Sequence, residues 1–243
     1  MQENLFIAAL CERDRGLLND MLAPVTLRSQ DVVFDEGGAA ASVYFPLDAV
    51  VSLVVSLSSG ATVEAAMVGR DGMVGALAAL DGHISMSRAI VQLGGRALVC
   101  DADAFRRAVM QSETLLTAII RHGQTVFGQA QQSAACLAAH DIAARLARWL
   151  LRARDLSDSD TLPFTQNFLS EMLGTTRPSV SVVAHTLQQA GMIRYRRGKI
   201  EIVDVAALQE TACECYGVVK DQYAALLRSA ACTSGGEPPT RWG

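Results

Sequence analysis

The sequence predicts an α+β chain: a β-rich N-terminal half, then one long helix, then a compact helical C-terminal part. Residues 17–105 contain short β-branched runs separated by glycine-containing turn signals. From Ser112 to Pro163 the chain has no intervening proline, and apolar or small residues recur at alternating steps of three and four. Between Thr165 and Ile202, two short helix patterns precede a hairpin pattern.

Length and composition indicate two folded domains. The chain has 243 residues, 50% of them apolar, which is enough to bury a sizeable core. We expect a β-rich domain over 1–111, a dimerisation helix over 112–139, a helical domain over 140–228 and a disordered tail over 229–243. No apolar run is long enough for a membrane helix and the N-terminus lacks a secretory signal pattern, so we expect a cytoplasmic protein without membrane contact.

The N-terminal half reads as a series of strands. The runs VTLRSQDVVF, SVYFPLDAVVSLVVSL and AIVQLGGRALVC are separated by turn segments such as DEGG, SSG and RDG. This spacing is typical of an all-β sandwich or barrel, in which glycines supply the positive φ angles of hairpin turns.

The long helix carries a stripe along one face. The stripe consists of Leu116, Ile119, Gly123, Val126, Ala130, Ser133 and Leu137. Because its small residues would let two copies approach closely, we expect this stripe to be the seam of a symmetric homodimer. Packing of the same stripe on the β-rich half is the alternative, and periodicity does not separate the two. His122, on the same helix, is expected at the surface.

The C-terminal part begins with a helix boundary and continues with a helix pair. Asp141 is a good N-cap for the following helix, so a hinge between domains fits here. Thr165 caps a short helix that ends at Gly174. The next helix has a buried stripe at helical spacing, formed by Val180, Val183, Ala184 and Leu187.

The stretch 174–200 is strongly basic in an acidic chain. It holds no Asp or Glu, although the net charge of the whole chain is −4. Two helices joined by a tight turn, with a basic hairpin after them, form a winged helix-turn-helix whose second helix enters the DNA major groove. A carboxylate beside the duplex would be repelled by the phosphates, whereas Arg and Lys gain free energy by releasing counterions. The stretch therefore predicts DNA binding.

Pro178 is tolerated in the first turn of a helix, so the second helix should begin at or just before it. Arg177 then lies at the mouth of that helix, where either a bidentate contact with guanine or a phosphate contact is open to it. The predicted DNA-contacting residues are Thr165, Thr176, Arg177, Ser179, Ser181, Val182, His185, Arg194, Arg196, Arg197 and Lys199. An alternative is a ligand-binding or scaffolding module whose helix pair mediates protein contacts.

Four motifs along the chain carry a resemblance. They are EMLGTTRPSVSVVAHTLQQAGMIRYRRGKIEI, VVFDEGGAAASVYFPLDAVVSLV, GRDGMVGALAAL and the hinge Asp141 with Arg145. Together they resemble the Crp/Fnr family of bacterial transcription factors (cyclic-AMP receptor protein and fumarate-nitrate regulator) over nearly the whole chain. The resemblance implies a β-roll of the cyclic-nucleotide-binding jelly-roll type, a dimerisation helix and a winged helix-turn-helix. It also implies a homodimer on a pseudo-palindromic operator, with RNA polymerase as a further partner.

The helix pair departs from the family pattern at two positions. In the family, the arginine that corresponds to Arg177 reads a base, and the positions of Ser181 and Val182 face the groove. The family's glutamate after that arginine is replaced by Pro178, and its second base-reading arginine by Val182. The resemblance therefore implies a half-site different from that of the cyclic-AMP receptor.

The sensor half departs further. The family's cyclic-nucleotide cassette has a Gly-Glu pair that holds the ribose and an Arg-Ser pair that holds the phosphate, and the aligned pairs here are Gly75-Ala76 and Ser87-Arg88. The glutamate is lost and the arginine is displaced by one residue, which in a strand turns it to the other face. We expect neither cyclic AMP nor, with Cys11 alone near the N-terminus, an iron-sulfur cluster. The candidate pocket for an unidentified effector is Gly75, Ala76, Leu77, Ser87, Arg88, Ala130 and Gln131.

Metal and catalytic chemistry are not predicted. Cys213 and Cys215 would diverge by about 200° on a helix, and the four histidines are unclustered in sequence. A metal- or redox-responsive role for these two cysteines is a minor alternative. The sequence holds no P-loop, nucleophile elbow or HExxH, so an enzyme is not expected.

Overall fold

The computed structural model describes residues 3–82 and 84–230, and this part of the chain has the predicted α+β architecture. A β-roll is followed by a long helix and a winged helix-turn-helix. Residues 231–243 of the predicted tail lie outside the described residues, whereas Ser229 and Ala230 belong to the last helix. None of the described helices is long and apolar enough to cross a membrane.

The helices and strands are numbered in chain order. The helices are α1 (Leu5–Ala9), α2 (Glu12–Asn19), α3 (Ala76–Leu80), α4 (Ala102–Val109), α5 (Glu113–Ala139), α6 (Ile142–Ser157), α7 (Gln166–Met172), α8 (Arg177–Gln189), α9 (Val205–Thr211) and α10 (Cys215–Ala230). The strands are β1 (Ala23–Leu27), β2 (Val32–Phe34), β3 (Ser42–Pro46), β4 (Val50–Ser56), β5 (Thr62–Val68), β6 (Arg88–Leu93), β7 (Gly95–Asp101), β8 (Thr161–Leu162), β9 (Ile193–Arg196) and β10 (Lys199–Ile202).

Two antiparallel sheets form the β-roll, with strand orders β1-β7-β3 and β2-β6-β4-β5. Alternate side chains of the strands point inward, as for Val51, Ala89 and Val91, and form one apolar core. The predicted β-rich N-terminal half is therefore confirmed.

The long helix α5 packs along its own chain. Its first turn is capped by Ser112, whose hydroxyl accepts a hydrogen bond from the backbone N–H of Leu115 (3.3 Å). From there α5 runs past strand β5 on one side and helix α10 on another. The helix predicted over 112–139 is present. It packs against β5 and α10 and does not only connect the two domains.

The predicted dimer seam on α5 is wrong, because that stripe is largely buried within the chain. Ile119 has no solvent exposure and Ser133 is buried. A Cβ on Gly123 would stand 2.7 Å from the side chain of Leu77, so this position faces helix α3. Val126 packs on the β-roll core.

The other predicted seam residues are Leu116, Ala130 and Leu137, and His122 lies on the same helix. Leu116 and Ala130 are half-buried. Leu137, near the C-terminal end of α5, is exposed. His122 is buried rather than at the surface, since it points toward the β-roll. The packing of the stripe on the β-rich half is thus the arrangement that the fold adopts.

The last helix does not belong to the winged helix-turn-helix. Helix α10 leaves α9 and returns along α5 to reach α1, although residues up to 228 were expected in the C-terminal domain. Its Val219, Tyr223 and Leu226 enter the core that includes Phe45 of the β-roll. The hydroxyl of Tyr223 lies 3.0 Å from the side-chain amide of Gln129 on α5.

Buried polar contacts join the winged helix-turn-helix to the β-roll of the same chain. The Nη1 atom of Arg152 in α6 lies 2.6 Å from Oδ2 of Asp71, and its guanidinium stacks 4.3 Å above the ring centroid of Tyr223. Trp149 in α6 donates from Nε1 to Oε1 of Glu64 in β5 (3.0 Å). Apolar side chains of both domains share one core around these contacts.

Candidate DNA-binding face and sensor cavity

Local sequence fixes where the second helix of the pair begins. Gly174 adopts φ 56° after α7, a left-handed conformation that favours glycine. The Oγ1 of Thr176 accepts a hydrogen bond from the backbone N–H of Ser179 (3.4 Å), and the two hydroxyls lie 2.9 Å apart. Pro178 occupies the first turn, where its missing N–H has no helical partner. Helix α8 therefore starts at Arg177, as the sequence predicts.

One face of α8 is anchored. Val180, Ala184 and Leu187 are buried, and Val183 packs against the same core, so the predicted stripe is confirmed. The core beneath includes Trp149, whose ring meets other aromatic rings edge-on. The opposite face of α8 is consequently held in a fixed orientation toward solvent.

The outer face of α8 carries the predicted contact residues in two groups. Arg177, Val182 and His185 are exposed, and 67% of Val182 is accessible to solvent. Ser181 is half-buried and donates a hydrogen bond to Oε1 of Gln166 on α7 (2.5 Å). The hydroxyl of Ser181 thus ties the two helices together, while the first group is free to meet a groove.

The wing is a tight hairpin with basic residues at its tip. Strands β9 and β10 pair with Arg196 opposite Lys199, which leaves Arg197 and Gly198 as the two-residue loop. Both have positive φ, 47° and 75°, as a type I′ turn requires. Among the described residues, Arg196, Arg197 and Lys199 have no ion-pair partner within 4 Å, whereas Nη1 of Arg194 lies 2.6 Å from Oε2 of Glu201.

Thr165 links the wing to the helix pair. Its Oγ1 accepts from the backbone N–H of Phe168 (3.2 Å) and caps α7. A Cβ on Gly198 would stand 3.5 Å from the methyl group of Thr165, so the wing tip lies over the start of α7. The fold therefore brings the wing tip, with Arg197 and Lys199 on either side of Gly198, next to the start of the helix pair.

A cavity of about 450 Å³ lies between the β-roll and α5. Five of the predicted pocket residues line it, namely Gly75, Ala76, Leu77, Ser87 and Ala130. Gly75 has φ 90°, and a Cβ there would stand 2.7 Å from the backbone oxygen of Ser42, so glycine is required at this turn.

The prediction that Arg88 and Gln131 line the pocket is wrong, because neither residue borders this cavity. Arg88 points away from the cavity, and its Nε lies 3.0 Å from Oδ1 of Asp35. The displacement by one residue along β6 turns the guanidinium to the other face of the sheet. Gln131 is exposed on α5 and does not line the cavity.

The lining of the cavity does not fit a cyclic nucleotide. Its described residues include no Lys or Arg, and Asp81 and His122 are its ionisable groups. The Nε2 of His122 accepts from the backbone N–H of Met73 (3.2 Å). Burial lowers the pKa of His122 to about 4, so its imidazole is neutral near pH 7. Within this lining no cation is in place to bind a cyclic phosphate, and Ala76 offers no carboxylate to the ribose.

The cysteines of the α9–α10 link are closer to a histidine than the sequence indicates. Cys213 precedes α10 and lies outside any helix, and Cys215 is the first residue of α10, so the two side chains are not forced apart. They meet Cys136 and His140 from the end of α5. The prediction that all histidines are unclustered is therefore wrong for His140, which comes from a segment more than 70 residues earlier.

Comparison with known families matches both halves of the chain. Residues 24–112 match the cyclic nucleotide-binding domain, and residues 144–211 match the Crp-like helix-turn-helix domain. The first range holds the β-roll side of the cavity, and the second holds the face formed by α8 and the wing. No curated protein matches the sequence.

Solved structures share the fold along most of the chain. A Crp/Fnr-family regulator from Thermus thermophilus is 23% identical, with a TM-score of 0.64, covering 78% of this chain and 98% of its own. A CRP-family regulator from the same organism is 21% identical, with a TM-score of 0.64, covering 77% and 96%. A Crp/Fnr-family regulator from Eubacterium rectale is 14% identical, with a TM-score of 0.65, covering 84% and 95%.

The two family matches occur in the same order as the β-roll and the winged helix-turn-helix, on either side of the long helix α5. The solved structures repeat this order over more than nine-tenths of their own length. The chain is therefore a member of the Crp/Fnr family of DNA-binding transcriptional regulators.

Proposed function

We propose that the protein acts as a homodimer that reads a pseudo-palindromic operator through α8, under the control of a signal at the β-roll. The observation that carries this proposal is that four exposed cations have no ion-pair partner in the described part of a chain of net charge −4: Arg177 on α8 and Arg196, Arg197 and Lys199 on the wing. Arg177 stands on a helix, and the other three on a hairpin, whose buried side chains share one core. A rigid basic face complements a DNA backbone, whose phosphates supply the negative charge.

Within this face the residues have separate roles. Arg177 stands at the N-terminal end of α8, where a bidentate contact with guanine O6 and N7 is in reach of a guanidinium. Val182 offers an apolar surface that suits the methyl group of thymine. The wing cations Arg196, Arg197 and Lys199 would contact phosphates and position the domain.

We propose that the homodimer forms on a second stripe of α5, different from the stripe that the sequence pattern predicts. Next to the buried stripe, a second one is exposed along the whole helix and repeats at alternating steps of three and four. It consists of Thr117, Ile120, Gln124, Phe127, Gln131, Ala134 and Ala138. Phe127 is 64% exposed and Ile120 48% exposed, which is unusual for large apolar side chains on an isolated surface. A second copy of α5 would cover both.

A signal at the cavity has a direct route to this dimer face. Phe127 belongs both to the exposed stripe and to the cavity lining. A change in the cavity would therefore alter the packing of two α5 helices. Helix α5 ends at the hinge, where Asp141 accepts from the backbone N–H of Ala144 (2.9 Å) and starts α6. The orientation of the two α8 helices would shift accordingly.

Further properties follow from this regulator role. RNA polymerase is the partner through which a bound regulator would act on transcription, and the cytoplasm is where it would meet DNA. The function needs no catalytic site. The alternative, a helix pair that mediates protein contacts, predicts that the basic face binds duplex DNA no better than any other surface.

The test is selection of bound duplexes from a random pool with the full-length protein, followed by titration over a salt series. We expect a pseudo-palindrome and an affinity that falls steeply with the logarithm of salt concentration. Arg107→Ala, which removes an exposed arginine from α4, is the matched control and should leave binding unchanged. Weak binding that is flat with salt would overturn the proposal.

The dimer face is tested by sedimentation of Phe127→Glu. The change places a charge in the proposed apolar seam and should give a monomer, since a charge buried between two helices lacks a partner. Met110→Glu is the control, because Met110 is 60% exposed and lies before α5 begins. Equal dimer content in both variants would exclude this seam.

A further inference from the structure

Four potential metal ligands meet at the junction between α5 and α10. Cys136 lies in the last turns of α5 and His140 is its C-cap residue. Cys213 lies in the link after α9, and Cys215 begins α10. The three cysteines are buried, His140 is half-buried, and one ligand atom from each of the four lies within 4.8 Å of the others.

The separations between these atoms fit a tetrahedral ion. The sulfur atoms of Cys136 and Cys213 are 3.5 Å apart, and Sγ of Cys215 is 3.6 Å from Nδ1 of His140. A tetrahedral zinc ion with ordinary bond lengths places two sulfurs about 3.8 Å apart and a sulfur and a nitrogen about 3.6 Å apart. The sulfur separation is far beyond a disulfide bond of about 2.05 Å, and these cysteines are free.

The surroundings of the cluster orient its members. The Nε2 of His140 lies 3.2 Å from Oε1 of Glu214, which leaves Nδ1 directed at the sulfurs. Histidine ligands of metals usually donate their other ring N–H to such a carboxylate, which fixes the tautomer. Gln132 donates from Nε2 to Sγ of Cys215 (3.0 Å), a contact that suits a thiolate.

Charge around the cluster also favours a bound cation with thiolates. A divalent ion with three thiolates leaves one negative charge. The guanidinium of Arg148 acts on Cys136 in the direction that offsets this charge.

We propose that Cys136, His140, Cys213 and Cys215 form a Cys₃His site for Zn²⁺. Three thiolates and an imidazole in tetrahedral arrangement select zinc among common divalent ions, and a full set of four protein ligands marks a structural site. Binding replaces three thiol protons, which pass to solvent, and the neutral imidazole bonds through Nδ1. No change of oxidation state is involved.

The position of the site gives it a role in the hinge. Its ligands come from the end of α5 and from the α9–α10 link, and Asp141 follows His140 directly. A bound ion would therefore tie both ends of the winged helix-turn-helix to α5. Loss of the ion would release the first turn of α10 from the end of α5 next to Asp141.

The test uses the full-length, reduced protein without DNA, so its outcome does not depend on the proposed operator. Titration with Zn²⁺ against a chromophoric chelator should give one ion per chain. Co²⁺ should give the intense visible absorption of a tetrahedral site together with a thiolate-to-metal charge-transfer band. Cys213→Ser should lower zinc affinity by at least about 100-fold, as expected for loss of a ligand where even an outer partner contributes about 10-fold or more.

Two further variants keep the test decisive. Cys100→Ser, which removes a buried cysteine in β7, should bind zinc like the original protein. If Cys213→Ser fails to fold, Glu214→Gln serves instead: Glu214 is exposed, and its loss should lower affinity about 10-fold. Less than one zinc ion per chain, a cobalt spectrum without the charge-transfer band, or equal effects of Cys100→Ser and Cys213→Ser would overturn the proposal.

Discussion

Arginines lie on both sides of the winged helix-turn-helix, and the two sets differ in exposure and in pairing. On the outer side, Arg177 and Arg196 are exposed and have no ion-pair partner among the described residues. On the inner side, Arg152 is buried, pairs with Asp71 at 2.6 Å and stacks on Tyr223. An unpaired cation in solvent remains available to a phosphate, whereas a paired, buried one is already neutralised. The same residue type is thus free in solvent on one side and joins the two domains on the other.

Because of this difference, we expect substitutions on the two sides to change different properties of the protein. Variants on the inner side should lower the free energy of unfolding and leave the salt dependence of DNA binding alone. Variants on the outer side should weaken DNA binding and leave unfolding alone. A variant that does both would show that the two sides are coupled.

The largest effect is expected for Asp71→Ala on the inner side. It leaves the guanidinium of Arg152 buried without its carboxylate partner, and such a loss costs about 3–5 kcal/mol of stability. Denaturant unfolding of the full-length protein measures this change.

Glu201→Ala is the control for that measurement. It removes the partner of Arg194 in an ion pair that is about half exposed, and surface pairs contribute about 1 kcal/mol or less. Equal destabilisation by Asp71→Ala and Glu201→Ala would remove the distinction between the two sides.

A second effect on stability is expected at acidic pH, through His122, which is buried between α5 and the β-roll. Burial lowers the pKa of His122 from 6.5 to about 4, so the unfolded chain takes up a proton at higher pH than the folded one. The contribution of neutral His122 to the free energy of unfolding is therefore fully present above about pH 6.5. As the pH falls toward 4, the free energy of unfolding decreases by about 3 kcal/mol, because protonation favours the unfolded chain. His122→Gln should flatten this acid limb of the unfolding free energy.

The control for the acid limb is His185→Gln, which changes an exposed histidine on α8. Glu64 contributes to the same pH range with the opposite sign, because burial raises its pKa to about 6. It is present in all three proteins, so the difference between variants isolates His122. An unchanged acid limb in His122→Gln would contradict the assignment.

On the outer side, Arg177→Ala should weaken operator binding by about 1–3 kcal/mol without changing unfolding. Arg177→Lys separates the two roles that are open to this residue. A lysine can replace a phosphate contact but cannot form the planar bidentate contact with guanine. If lysine restores both affinity and base preference, Arg177 contacts phosphate; if affinity is unchanged even in Arg177→Ala, Arg177 has no part in binding.

The residues that the sequence places correctly depend on local patterns. The stripe of α8 follows from helical spacing, and the basic outer face follows from the charges of one continuous segment. Strand alternation likewise predicts that Arg88 turns to the other face of β6, and its inclusion in the candidate pocket was wrong for that reason. None of these inferences needs a contact with a distant part of the chain.

The residues that it misplaces depend on packing between distant segments. Helix α5 has two stripes of the same period, offset by one residue, as Ile119 and Ile120 illustrate. Periodicity alone cannot decide which of them β5 and α10 cover. Cys136 and Cys213 likewise meet because α10 returns along α5. The sequence around either cysteine does not predict this return.

The smallest expected effect on DNA binding distinguishes two arginines of the wing. Arg196→Ala should weaken binding to all sequences alike and reduce the slope of log affinity against log salt by about 0.9 for each protomer, because one phosphate contact is lost. Arg194→Ala should change the slope less, since Glu201 already offsets that charge at 2.6 Å. A salt series on one operator and one unrelated duplex measures both. If Arg194→Ala changed the slope as much as Arg196→Ala, pairing within the wing would not decide which arginine meets the backbone.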